Sequence, residues 1–78
     1  EDLNIILHLF QKREVSNMEE KRAKFLGIFA NVPESLRQDI LVVVDKKPYT
    51  WNIAYLEIKE KTPLGKKILK TLEDIGIL

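Results

Sequence analysis

Ile40-Leu41-Val42-Val43-Val44-Asp45-Lys46-Lys47-Pro48-Tyr49-Thr50 decides the fold, because it carries two incompatible patterns. With a period near 3.6, Leu36, Ile40, Val43 and Val44 form a helical stripe that runs to about Lys46. Asn31-Val32-Pro33-Glu34, just upstream, supplies a start signal: an N-cap residue, a proline at an early helical position and a glutamate reaching back. With a period of two, Val42-Val43-Val44 is a β-branched run, and Asp45-Lys46-Lys47-Pro48 can turn a hairpin into Tyr49–Ile58. The agreement of the start signal with the 36/40/43/44 spacing predicts a helix, and a β-hairpin at 40–58 is the main alternative.

Downstream, Thr50 can cap a short helix in which Trp51, Ala54, Tyr55 and Ile58 share a face. Thr62-Pro63 opens a last helix with an apolar stripe of Leu64, Ile68, Leu69, Leu72 and Ile75. Gly76 follows where a left-handed residue ends a helix, and Ile77 is positioned to fold back on Leu72. Upstream, Leu3, Ile6, Leu7 and Phe10 keep helical spacing, and Ile5 and Leu9 widen that stripe beyond one packing face. Ser16 and Glu19 form a capping box before a second helix carrying Met18, Arg22, Phe25, Leu26 and Phe29 and ending near Asn31. The expected fold is therefore all-α: one domain over residues 1–78 with about five short helices, an N-terminal helical pair over 1–31 and a helix-turn-helix-like unit over 33–78.

Composition narrows the chemistry. Apolar residues make up 45% of the 78, ordinary for a globular chain. There is no cysteine, which removes disulfides, thiolate nucleophiles and cysteine-based zinc sites. His8 is the only histidine, so neither a histidine metal pair nor a Cys–His pair can be assembled within one chain. Ser16 and Ser35 stand at helix starts, where capping accounts for them. Gly65-Lys66 lacks the upstream glycine of a phosphate-binding loop, and there is no Gly-x-Gly-x-x-Gly. A non-catalytic protein without cofactor or metal is expected. No apolar run approaches the roughly 20 residues of a membrane span, and acidic Glu1 and Asp2 stand where a signal peptide would be basic. An intracellular, cytoplasmic setting is the expectation.

Charge is uneven along the chain. Thirteen basic residues against twelve acidic ones leave a net +1. Residues 1–45 carry −2, residues 46–72 carry +5 and residues 73–78 carry −2. The basic block is Lys46, Lys47, Lys59, Lys61, Lys66, Lys67 and Lys70. On the last helix Lys66, Lys67 and Lys70 fall opposite the apolar stripe, as expected of an element that tracks phosphates. A solvated lysine face is the plainer account of the same pattern.

Residues 35–78 resemble the helix-turn-helix of winged-helix transcription regulators. Ser35-Leu36-Arg37-Gln38-Asp39-Ile40-Leu41 is similar to that family's first helix, and Pro48-Tyr49-Thr50-Trp51 to the lead-in of its second, with Ala54 at a small-residue position. Leu69-Lys70-Thr71-Leu72-Glu73-Asp74-Ile75-Gly76-Ile77-Leu78 resembles the end of a recognition helix leading into the wing. The last helix has no Arg, Asn or Gln with which to read base edges. The resemblance therefore implies DNA binding through phosphate, with Lys59, Lys61, Lys66, Lys67 and Lys70 as the cationic contacts and Thr62 and Asn52 as minor polar ones. A second resemblance is carried by Leu64-Gly65-Lys66-Lys67-Ile68-Leu69-Lys70, which looks like the closing helix of a SAM-type five-helix interaction domain. It implies a protein-interaction module with no nucleic-acid role. In either case the surplus apolar residues Leu3, Ile5 and Leu9 are the candidate interface for a homodimer or a partner protein; Val42 and Tyr49 or Trp51 are further surplus that can equally complete the core, which is the preferred reading for Trp51.

Overall fold

The structure is a computed structural model that describes residues 18–78. Residues 18–30 are helical (α1) and lead into a single 3-10 turn at Glu34–Leu36. Strands β1 (Ile40–Val44) and β2 (Lys47–Thr50) follow, then helices α2 (Trp51–Lys59) and α3 (Pro63–Asp74). The helix expected over Leu3–Phe10, its interface residues Leu3, Ile5 and Leu9, and Ser16 of the capping box lie outside the described residues.

The all-α expectation is corrected by the 40–50 segment. It is an antiparallel hairpin, so the described residues form a mixed α/β domain of three helices and two strands. Period two prevails because it buries the right atoms. Val42 and Val44 point into the core while Val43 is exposed, whereas a helix would have had to bury Leu36, Ile40 and Val43, all of which face outward here. Asp45 and Lys46 both have positive φ, 52° and 69°, as a two-residue type I′ hairpin turn requires. Val44 pairs with Lys47, Val43 with Pro48 and Val42 with Tyr49; the register shifts between Ile40 and Val42, and Ile40 pairs with Thr50. Pro48 is tolerated because each strand of a two-stranded sheet has a free edge where a missing N–H costs nothing.

The start signal at Asn31–Glu34 yields only the 3-10 turn. Arg37 then closes it: its guanidinium donates to the carbonyls of Val32 (3.1 Å) and Phe29 (3.4 Å) and lies 4.3 Å from the centre of the Phe29 ring. The stretch 35–41, which resembled a first helix, is therefore this turn plus the beginning of β1. The five-helix architecture implied by the SAM-type resemblance is corrected on the same ground.

The two later helices form where their caps predict. Thr50 accepts the Ile53 N–H at 3.2 Å and starts α2 directly from β2. The amides of Trp51 and Asn52, orphaned by the helix start, donate to the carbonyls of Asp39 (3.2 Å) and Arg37 (3.0 Å). Pro63 begins α3, and Thr62 accepts the Gly65 N–H at 3.0 Å. At the far end Gly76 has φ 85° and donates to Glu73 at 3.0 Å, while Ile77 donates to Leu72 at 2.9 Å. That pair of bonds is a Schellman ending. Leu78, not Ile77, is the side chain that packs against the core; Ile77 is exposed.

One core joins all five elements. Phe25 and Phe29 of α1 meet Val42 and Val44 of the hairpin, Ala54 and Ile58 of α2, and Ile68, Leu69 and Leu72 of α3. Val42 is thus core rather than surplus. Trp51 and Tyr49 are partly buried against the core, with Trp51 stacked 6.1 Å from Phe25. Among the described residues Arg22 is the buried charged one: it donates to the Ile58 carbonyl at 3.1 Å and to Glu19 at 2.7 Å. Its cation thereby caps the C-terminal end of α2, where the helix carbonyls converge.

Candidate nucleic-acid interface

Helix α3 is strongly two-sided. Gly65, Ile68, Leu69 and Leu72 are buried, and Lys66, Lys67 and Lys70 are exposed on the opposite arc. Their one-turn spacing makes a short cationic row. The hairpin extends it. The Lys67 ammonium sits 3.2 Å from the Asp45 carboxylate, and Asp45 is the first residue of the turn that carries Lys46 and Lys47, both exposed. Asp45 and Lys67 are themselves exposed, so their attraction is worth no more than about 1 kcal/mol. The pair marks adjacency rather than rigidity. Asp74, one turn beyond Lys70, closes the row with the opposite sign.

The other expected contacts fall elsewhere. Lys59, in the last turn of α2, lies 5.7 Å from the centre of the Tyr55 ring. Lys61 approaches Glu19 of α1 at 3.9 Å. Thr62 is engaged as a cap: besides accepting from Gly65, its hydroxyl is hydrogen-bonded to the Glu57 carboxylate. Asn52 is exposed in the first turn of α2. Of the expected set, then, Lys66, Lys67 and Lys70 come together on one arc of α3, and the Asp45–Lys67 contact brings the hairpin tip, with Lys46 and Lys47, next to that arc. Those two belonged to the basic block, but only the hairpin carries them to α3. Their signal was the Asp45-Lys46 turn between alternating strands.

The row can meet anionic oxygens, phosphate among them, but cannot read base edges. An ammonium is a compact point charge with rotatable donors, adequate for a phosphate oxygen but without the planar fork that reads guanine. The arginines among the described residues are both committed, Arg22 inside the core and Arg37 over Phe29. Every buried side-chain nitrogen or oxygen among the described residues has a hydrogen-bond partner. Among those residues no group of three or more His, Cys, Asp or Glu could hold a metal ion, and no helix is long and apolar enough to cross a membrane. No family model, curated relative or solved structure matches the chain.

Proposed function

We propose that this domain is a non-catalytic nucleic-acid-binding module of a regulator or a larger DNA-handling protein, and that it tracks phosphates with a lysine face made by the hairpin tip and α3. The observation that supports this reading is the 3.2 Å approach of Lys67 to Asp45, which sets the hairpin tip that carries exposed Lys46 and Lys47 against the lysine face of α3. Five ammonium groups from two elements are a larger cationic surface than one helix face supplies. Lysines without accompanying arginine forks favour backbone contact over base reading, so the expected binding has little sequence preference. An intracellular location belongs to the same proposal, because nucleic acid is met there.

The test is fluorescence anisotropy with a short DNA duplex over a salt series. Three to five phosphate contacts predict that log K falls against log[salt] with a slope of about −3 to −4.5. The triple variant Lys66→Glu, Lys67→Glu, Lys70→Glu is expected to abolish binding; unchanged affinity would refute the proposal. A second reading, a protein-interaction module with no nucleic-acid role, is favoured by the outward apolar side chains of α2. It predicts negligible DNA binding at physiological salt.

A further inference from the structure

The tip of the hairpin carries an acid where its geometry asks only for a tolerant backbone. Asp45 and Lys46 have φ of 52° and 69°, and the first position of such a turn is served by asparagine or glycine as well as by aspartate. The turn therefore does not require the negative charge of Asp45. Nor does the core, because the Asp45 side chain is 71% exposed and its Lys67 partner 63% exposed. An ion pair so open to water adds little to stability. Its position is what matters: it sets a carboxylate 3.2 Å from an ammonium of the α3 row. Among the described residues, the neighbouring Lys66 and Lys70 form no such pair. The two glutamates in the basic stretch stand elsewhere, Glu57 bonded to the Thr62 hydroxyl and Glu60 at the end of α2.

We propose that Asp45 is an autoinhibitory residue of the lysine face: its carboxylate holds, in the free protein, the Lys67 ammonium that a phosphate oxygen takes when nucleic acid binds. The inference rests on the phosphate-tracking reading and adds a regulator to the same site. Carboxylate and phosphate oxygens compete for this donor because each accepts a charge-assisted hydrogen bond from an ammonium. A phosphate arriving at Lys67 must displace Asp45, and it then lies near a like charge. Both effects lower affinity. Because the pair is exposed, the penalty is one that a polyanion with several contacts overcomes, so Asp45 sets the strength of binding rather than forbidding it.

Fluorescence anisotropy with a short DNA duplex tests this. At about 100 mM salt, Asp45→Asn should tighten binding by about two- to fivefold, and the gain should shrink as salt screens the pair. Asp45→Gly, which suits the same φ, should act likewise and covers the case in which asparagine disturbs the turn. Glu20→Gln, on the exposed side of α1, makes the same change in net charge and should gain much less. With Lys67→Met already in place, Asp45→Asn should gain no more than Glu20→Gln does. Duplex binding that Asp45→Asn and Asp45→Gly leave no tighter overturns the inference alone, as does an equal gain from Glu20→Gln or an undiminished gain without Lys67. Absence of duplex binding by the native chain and by every variant overturns the phosphate-tracking reading and this inference with it.

Discussion

Lys61 occupies a left-handed backbone position, φ 58°, at the end of α2. The turn there is a Schellman ending in which Lys61 donates to Ile58 and Thr62 donates to Glu57, each at 3.2 Å. Glycine is the usual occupant of that position because a Cβ crowds the backbone. Lysine bears this strain, and its 3.9 Å approach to Glu19 between two exposed side chains offsets little of it. Lys61→Gly is therefore expected to stabilise the domain by about 0.5–1 kcal/mol, after allowing for the greater freedom of glycine in the unfolded chain. For a domain of this size that is a rise of about 2–6 °C in Tm, readable by thermal circular dichroism. An unchanged or lowered Tm would mean that the Lys61 side chain contributes more than its geometry indicates.

At the scale of elements, the α2–α3 corner depends on Gly65. A Cβ at this position would overlap the Glu57 carbonyl oxygen and lie 2.7 Å from its carbon and 3.0 Å from the Ile58 Cα. Those are backbone atoms and cannot swing aside, so the helices would have to separate. Gly65→Ala is expected to cost about 3 kcal/mol in urea denaturation, whereas Gly27→Ala on α1, with nothing near its Cβ, should gain about 0.5–1 kcal/mol. The same corner shows what was legible in the sequence. Thr50, Thr62-Pro63 and Gly76 announced α2, α3 and the end of α3 through local capping chemistry, which acts within one turn of the chain. The hairpin depended on something non-local. Val42 and Val44 could be assigned to strand or helix only by knowing that Ile58, Ile68 and Leu72 would be there to cover them. Pro33 and Glu34 made the wrong choice attractive, because one capped turn looks the same whether or not a helix follows.

For the whole molecule, the hairpin exchanges one basis for the proposed nucleic-acid binding for another. The charge block could be read from composition alone, and helical spacing correctly put Lys66, Lys67 and Lys70 on one exposed arc of α3. What could not be read was the partner surface: as the end of a helix, Lys46 and Lys47 would have stood in a linker, but the hairpin tip that carries them meets α3 at Lys67. This difference is measurable. Suppose the face is one surface made of two elements. Lys46→Glu, Lys47→Glu should then weaken DNA binding by at least tenfold at about 100 mM salt and flatten the salt slope by about 1–2, since each lost phosphate contact removes about 0.9 from it. Lys24→Glu, on the exposed side of α1, changes the net charge by the same amount per residue and should shift affinity only slightly. Equal effects per charge at the two places would mean that the protein attracts DNA by net charge alone. A loss confined to the α3 triple variant would restrict binding to one helix and remove the hairpin from the interface. The expected result, loss at the tip and at α3 but not at Lys24, follows only if chain folding assembles the cationic face from both elements.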